Sequence, residues 1–389
     1  MLQISRLRDA DAPRAATAVA RLAPGVAWCL AVATLCTVLL RLPGVPAALA
    51  SPMLLAIVLG AVVASVGGAV RRSGARGPAP ATTAGRTAAG TRWAAVHLLR
   101  AGVVLLGLRL SVPDVLALGW HGVLVAGGAL LVTFGATLAI GHRMRLPRGT
   151  VLLIATSFSV CGAAAASTMV SVLPRGEEET DQEVRERDTA LATAIALVTV
   201  LGLACVLVGP WVARGLGMTD AQAGLWIGAS FPEVAHVAAA AGTVSAAALG
   251  VATVAKLARV ALLAPLTAVV SAALGERARR GTPRTSAPEG ARDAVPRYGS
   301  AGKRAPLVPL FVLGFLACVV VRSTGLVPGA VLHAADGTAT FLLVAAMFAM
   351  GLGVDLPRLV RTARRPLLLG LAATGIITVV AGALVMVLG

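Results

Sequence analysis

Apolar stretches of about twenty residues, the length a helix needs to cross hydrocarbon, recur from one end of this chain to the other. In lipid every backbone N–H and C=O has to be satisfied within the chain, so such stretches form helices or closed barrels. Barrel strands are about half that length and alternate in polarity. The stretches here are longer and do not alternate. The expected fold class is therefore an all-α polytopic membrane protein. Of 389 residues, 57% are hydrophobic and 13% charged, where a water-soluble domain carries about a quarter charged residues.

The runs predict eleven transmembrane helices, at residues 25–41, 51–70, 93–110, 120–140, 149–172, 189–212, 222–242, 247–274, 306–321, 337–354 and 366–388. Basic residues cluster in the even-numbered loops. Arg71, Arg72, Arg76, Arg86 and Arg92 fill the second loop, and Arg143, Arg145 and Arg148 the fourth. Residues 275–305 hold eight basic and three acidic side chains, and Arg358, Arg361, Arg364 and Arg365 fill the tenth loop. Basic loops mark the cytoplasm. The reading is N-terminus in and C-terminus out in the plasma membrane, with residues 1–24 a cytoplasmic segment carrying Arg6, Arg8, Arg14 and Arg21. Residues 25–389 then form one integral membrane domain, with cytoplasmic linkers at 71–92 and 275–305 that are rich in small residues and proline. The acidic stretch Glu177 to Asp188 falls outside in this count. The first run, with a basic leader and Ala48-Leu49-Ala50 beyond it, shares features with a signal peptide. It is longer than the usual apolar core of one, and is expected to be retained.

The net charge of +17 belongs to these loops, and no nucleic-acid-binding fold accompanies it. The five cysteines, Cys29, Cys36, Cys161, Cys205 and Cys318, sit in apolar runs without a C-x-x-C pair. Neither a disulfide framework nor a zinc site is expected, and no cofactor. A Walker A motif and an H-E-x-x-H motif are absent, and no catalytic constellation appears, so an enzyme is not expected.

Polar and charged side chains inside the runs are expensive and mark solute or ion paths. In the seventh run, Ser230-Phe231-Pro232-Glu233 combines a capping-box spacing with a first-turn proline. That describes a helix start halfway along a span, and hence a broken helix. Half-helix N-termini at mid-depth favour anions. Glu233 either caps the break or serves as a proton or cation site. His236, three residues on, faces the same side if helical, or is a packing residue. The fifth run carries Ser157, Ser159, Cys161 and Gly162 within a stretch of small residues. Those residues suit either tight helix packing or a loosened backbone that binds solute. Lys256 and Arg259 share one face near the middle of the eighth run and need a partner. Glu233 and an anionic solute are the candidates, with a purely structural ion pair the alternative. Gly107-Leu108-Arg109-Leu110-Ser111-Val112-Pro113 and Gly351-Leu352-Gly353-Val354-Asp355-Leu356-Pro357 share glycine, leucine and proline spacing at opposite span ends, a short hint of an inverted repeat.

With Gly102 to Ser111, Ser159-Val160-Cys161-Gly162-Ala163, Gly224 to Ser230 with Glu233-Val234-Ala235, and Lys256 through Pro265 in this order, the chain resembles the bacterial YeiH-like family, which carries the label of sulfate exporter. The resemblance covers most of the chain from about residue 50. It implies an inner-membrane protein of about eleven helices with inverted repeats and crossed broken helices, similar to bile-acid symporters and cation–proton antiporters. The family pattern has His-Asp where Pro232-Glu233 stand here, and Gln where His236 stands.

The leading functional expectation is a secondary transporter of a small anion such as sulfate or an organosulfonate. In it Ser157, Ser159, Cys161, Gly162, Ser230, Lys256 and Arg259 bind the solute, and Glu233 and His236 couple to protons. The alternatives are a sodium- or proton-coupled antiporter or organic-acid symporter using Glu233 and Asp355, and a non-transporting membrane scaffold. The expected partners are the lipid bilayer, the anionic solute and a proton or sodium ion; a homo-oligomer is left open.

Overall fold

The computed structural model describes residues 2–40, 51–72, 81–173, 180–280, 310–353 and 363–388. Among these residues every regular element is helical. The helices are α1 (Leu2–Leu39), α2 (Pro52–Arg72), α3 (Ala81–Leu106), α4 (Val112–Ala117), α5 (Gly119–Arg143), α6 (Arg148–Ser159), α7 (Ala163–Val172) and α8 (Asp181–Gly215). They continue as α9 (Asp220–Ser230), α10 (Val234–Val244), α11 (Ala246–Ala261), α12 (Leu263–Arg280), α13 (Leu310–Ser323), α14 (Gly329–Gly351) and α15 (Arg364–Leu388). Among the described residues seven stretches are long and apolar enough to cross a membrane: Arg21–Leu39, Thr87–Arg109, Gly119–Arg143, Asp181–Gly215, Ala246–Leu274, Gly329–Gly351 and Arg364–Leu388. This is an all-α membrane protein.

The seventh run is broken after Ser230 and resumes at Val234, as its sequence predicts, but the fifth and seventh runs both depart from expectation in direction. Each is a pair of half-helices that turns back instead of crossing. Gly149, at the start of α6, lies against the Leu173 side chain at the end of α7. A continuous helix would hold those two residues about 36 Å apart. In the second pair, Arg214 at the end of α8 donates to the carbonyl of Thr243 near the end of α10 (3.1 Å). The chain therefore comes back to the side from which α9 set out. Next, α11 runs alongside α9 in the same direction, with Gly224 against Ala248 and Gly228 against Ala252. A Cβ on either glycine would collide with a backbone carbonyl of α11, so glycine is what lets the two helices touch backbone to backbone.

Half-helices of ten to twelve residues are roughly 15–18 Å long, about half the hydrocarbon thickness. Because α8 separates the two hairpins and runs lengthwise, they enter from opposite sides and their tips meet midway. Two of the eleven expected crossings are thus re-entrant hairpins. In consequence, residues 180–188 share a side with the turn at 144–147, a correction to the expected placement of the acidic stretch on the opposite side. The physical reason is length: a 24-residue apolar run with a kink at its centre has the hydropathy of a full span. Asp355, residues 354–362 and the linker charges from 281 to 305 lie outside the described residues.

Around the hairpins stand two packed groups. One is α1, α2, α3, α13 and α14; the other is α5, α8 and α15, which pack on the half-helices α6, α9 and α10. Between them, α11 touches α5, α9, α10 and α13, and α7 touches α3, α6, α8 and α12. The first group meets the hairpin tips through one apolar cluster that includes Met53, Leu99, Val103, Leu106, Leu343 and Met347 together with Cys161, Ala164 and Ala235.

Candidate functional site

A helix end leaves four carbonyls or four N–H groups without an intrahelical partner, and buried in protein each has to find one. The two hairpin tips place two C-terminal and two N-terminal helix ends together, which sets the chemistry of this site.

The first tip is Val160-Cys161-Gly162. Of the last α6 carbonyls, Thr156 and Ser157 accept from the backbone N–H groups of Val160 (3.1 Å) and Gly162 (2.9 Å). Those of Phe158 and Ser159 accept from Nη2 of Arg259 (3.3 and 2.8 Å). The Val160 carbonyl accepts from Nζ of Lys256 (2.8 Å). Gly162 closes the turn with φ 77° and ψ −126°, a conformation that side-chain-bearing residues rarely adopt. The second tip is Phe231-Pro232-Glu233. Nη1 of Arg259 donates to the Gly228 and Phe231 carbonyls (3.3 and 3.2 Å). Nζ of Lys256 donates to the Phe231 and Pro232 carbonyls (2.8 and 2.7 Å). Both cations are fully buried. They therefore stitch the carbonyl ends of α6 and α9 together, where helix dipoles gather negative partial charge. The expected Lys256 partner, Glu233, is replaced by three backbone carbonyls.

Glu233 serves the opposite pole. Its Oε1 accepts from the backbone N–H of Ala163 (3.0 Å), the first residue of α7. An acid at a helix N-terminus is favoured by the dipole. Glu233 is itself the N-cap residue of α10, with extended φ −127° and ψ 154°, but its side chain does not cap its own helix. The capping-box expectation is corrected here: Ser230 is the last residue of α9 and its hydroxyl donates back to the Trp226 carbonyl (2.6 Å). Proline disfavours helical backbone in the residue before it, so Phe231 is extended (φ −72°, ψ 144°) and the new helix starts only at Val234.

Ser157 and Ser159 also turn their hydroxyls to their own helix, onto the Leu153 and Ala155 carbonyls (2.6 and 2.7 Å). His236 packs its ring against Gly202 of α8. Among the described residues three buried polar atoms here have no hydrogen-bond partner: Oε2 of Glu233, Nδ1 of His236 and Nε of Arg259. A cavity of about 30 Å³ adjoins the tips, lined by Cys161, Ala164, Glu233 and Val234 on the hairpin side and by Met53, Val103, Leu343 and Met347 among others opposite. Ala164 and Val234 belong to the first turns of α7 and α10, so both half-helix N-termini border it. The structure thus gathers Cys161, Gly162, Glu233, Lys256 and Arg259 at one junction, holds Ser157, Ser159 and Ser230 behind it, and sets His236 to its side. The sequence did not single out Gly202 or the Ala163 N–H; a glycine in an apolar run and a backbone donor give no signal of their own. Among the described residues no group of three His, Cys, Asp or Glu side chains is placed to hold a metal.

Arg259→Lys is expected to leave the fold intact but lower the melting temperature. An ammonium is a point donor and cannot hold carbonyls of both tips as the guanidinium fork does. Losing two such bonds costs about 2 kcal/mol, which a thermal-shift measurement in detergent reads directly.

A family model described as Conserved hypothetical protein 698 matches residues 24–370. The chain is 38% identical to a UPF0324 membrane protein of Corynebacterium glutamicum, over 85% of this chain and 84% of that protein. It is 34% identical to a UPF0324 membrane protein of Pseudomonas aeruginosa, over 73% and 74% of the two chains. It is also 34% identical to the UPF0324 membrane protein TauZ of Paracoccus denitrificans, over 74% and 78%. No solved structure matches the chain.

Proposed function

The chain belongs to the Conserved hypothetical protein 698 family, the YeiH-like UPF0324 membrane proteins, and from that membership we propose that it is a secondary active transporter of a small anion. The observation that carries this reading is the polarity of the hairpin junction. Both formal cations are held on the carbonyl ends, while the N-terminal ends of α7 and α10 border the cavity beside Glu233. Half-helix N-termini supply backbone N–H groups and positive partial charge without a desolvated side chain, the arrangement that suits an anionic group at mid-depth. Lys256 and Arg259 stand as two basic side chains against the one acid, Glu233, at this junction. Sulfate and organosulfonates are the solutes in view. The unpartnered Oε2 of Glu233 favours a coupling role, for a proton or for sodium, and supports the second reading of a cation-coupled organic-acid carrier. The basic 143–148 turn and the Arg364-Arg365 start of α15 would face the cytoplasm, putting the N-terminus inside and the C-terminus outside.

The test is flux in proteoliposomes with candidate anions under imposed proton or sodium gradients. Glu233→Gln keeps an oxygen for the Ala163 N–H but loses the charge. It is expected to retain folding and exchange of anion for anion, and to lose gradient-driven accumulation by at least about tenfold, the size of a 1.4 kcal/mol coupling. Accumulation equal to wild type would remove Glu233 from coupling.

A further inference from the structure

A second cavity, of about 340 Å³, opens at the end of the molecule where α1 and α3 finish and α2 and α14 begin; Thr37, Leu40, Pro52, Gly337, Thr340 and Phe341 line it. It adjoins the tip cavity along the same two helices. On α2, Pro52 lines the outer cavity and Met53 the inner one. On α14, Thr340 lines the outer cavity, and Leu343 and Met347 line the inner one. Residues 340, 343 and 347 fall on one helical stripe, since i, i+3 and i+7 share a face. The inner cavity holds at most a water or two at its present size. The walls between the cavities are aliphatic and thioether side chains, and methionine adapts its shape readily.

Beside the outer cavity sits the ion pair of Arg109 and Asp336, joining the turn Gly107–Arg109 after α3 to α14. Nη2 of Arg109 also donates to the Thr340 hydroxyl (2.7 Å) and reaches the Asp336 carbonyl (3.5 Å). These bonds use Nε and Nη2 and leave Nη1 without one among the described residues. The pair is partly exposed, over 27% and 49% of its side-chain surfaces. An exposed pair is worth little, so an anion replaces the carboxylate on the guanidinium at small cost, and a guanidinium fits an oxyanion with two parallel bonds.

We infer that a solute path runs from the outer cavity to the hairpin tips along the Thr340–Leu343–Met347 stripe, and that Arg109 is its first anion-binding contact, taking a small oxyanion such as sulfate or a sulfonate. This inference rests on the transporter reading for its solute and on geometry for its route. Single cysteines Thr340→Cys, Leu343→Cys and Met347→Cys, in a chain whose native cysteines are alanine, are exposed in proteoliposomes to membrane-impermeant methanethiosulfonates of either charge. Val379→Cys on α15, 70% exposed and facing outward from the helices, is the control. The stripe cysteines are expected to react from the outer-cavity side in falling order of rate, all faster than the control. The anionic reagent is expected to be favoured at Thr340→Cys, and adding Arg109→Gln to lower the anionic-to-cationic rate ratio about fivefold, the combined effect on the two reagents of one unit charge about 8 Å away in water. Sulfate is expected to slow the anionic reagent in the parent and not in the Arg109→Gln protein. Reaction confined to Thr340→Cys, with or without a gradient and anion, makes the outer cavity a blind pocket and overturns the route. An unchanged rate ratio overturns the role of Arg109. The labelling pattern without any flux keeps the route and removes the transporter reading instead, so the two failures are told apart.

Discussion

Lys256→Met is expected to lower the melting temperature by on the order of 5–10 °C and to cut the yield of monodisperse protein sharply. Methionine approximates the volume of lysine, so packing is conserved. What is lost is the donor. The Val160 and Pro232 carbonyls accept from Nζ of Lys256, and Phe231 keeps only Arg259. Each carbonyl stranded in a dry interior costs about 1–3 kcal/mol, against a total stability of about 5–15 kcal/mol for a typical protein. The loss therefore takes a large share of what holds the tips closed, and flux falls with it. Thermal unfolding followed by size-exclusion chromatography checks this. A protein as stable as wild type would mean that the carbonyls find other donors, and that Lys256 does not close the junction.

Gly162→Ala is the second large effect, and it separates geometry from charge. At φ 77° and ψ −126° any Cβ is strained, at a cost of about 1–3 kcal/mol. The new methyl would also collide with Cγ of Glu233 and stand 2.8 Å from its Oε1. Either the carboxyl leaves the Ala163 N–H or the tip shifts. Gradient-driven flux is expected to fall at least tenfold, a loss of about 1.4 kcal/mol or more, while global melting drops only a few degrees. The pairing of strong functional loss with mild destabilisation is the signature to look for. If flux survives, Glu233 does not need its place on α7.

The charged residues singled out in the sequence lie together in the structure, whereas the three serines bond back to their own helices and His236 packs on Gly202. Glu233, Lys256 and Arg259 stood out because charge inside hydrocarbon is costly, and the structure brings all three to one junction. Helical class was legible because apolar run length alone excludes the alternatives. The hairpins were not, since hydropathy measures length and polarity but not direction, and a turn of three residues such as Val160 to Gly162 leaves no mark on either. The partners of Lys256 were hidden for the same reason. A carbonyl becomes an acceptor only where a helix stops, and where it stops depended on Pro232 and on a glycine at a positive φ. Ser230 shows the converse. Its spacing to Glu233 fits a capping box, yet with Phe231 extended ahead of proline the hydroxyl has its own helix within reach and bonds there.

The fold-back of two runs also has an arithmetic consequence. Among the described residues nine helices run lengthwise, with α2 and α13 included and α11 and α12 counted as one; nine and eleven are both odd, so the two misread crossings cancel. A reporter fused at either terminus reads the same under both counts. Only the stretch from the first hairpin to the second, residues 180–219, changes sides. An epitope beside Thr180 or beside Thr219 is therefore where the parity of this chain becomes visible.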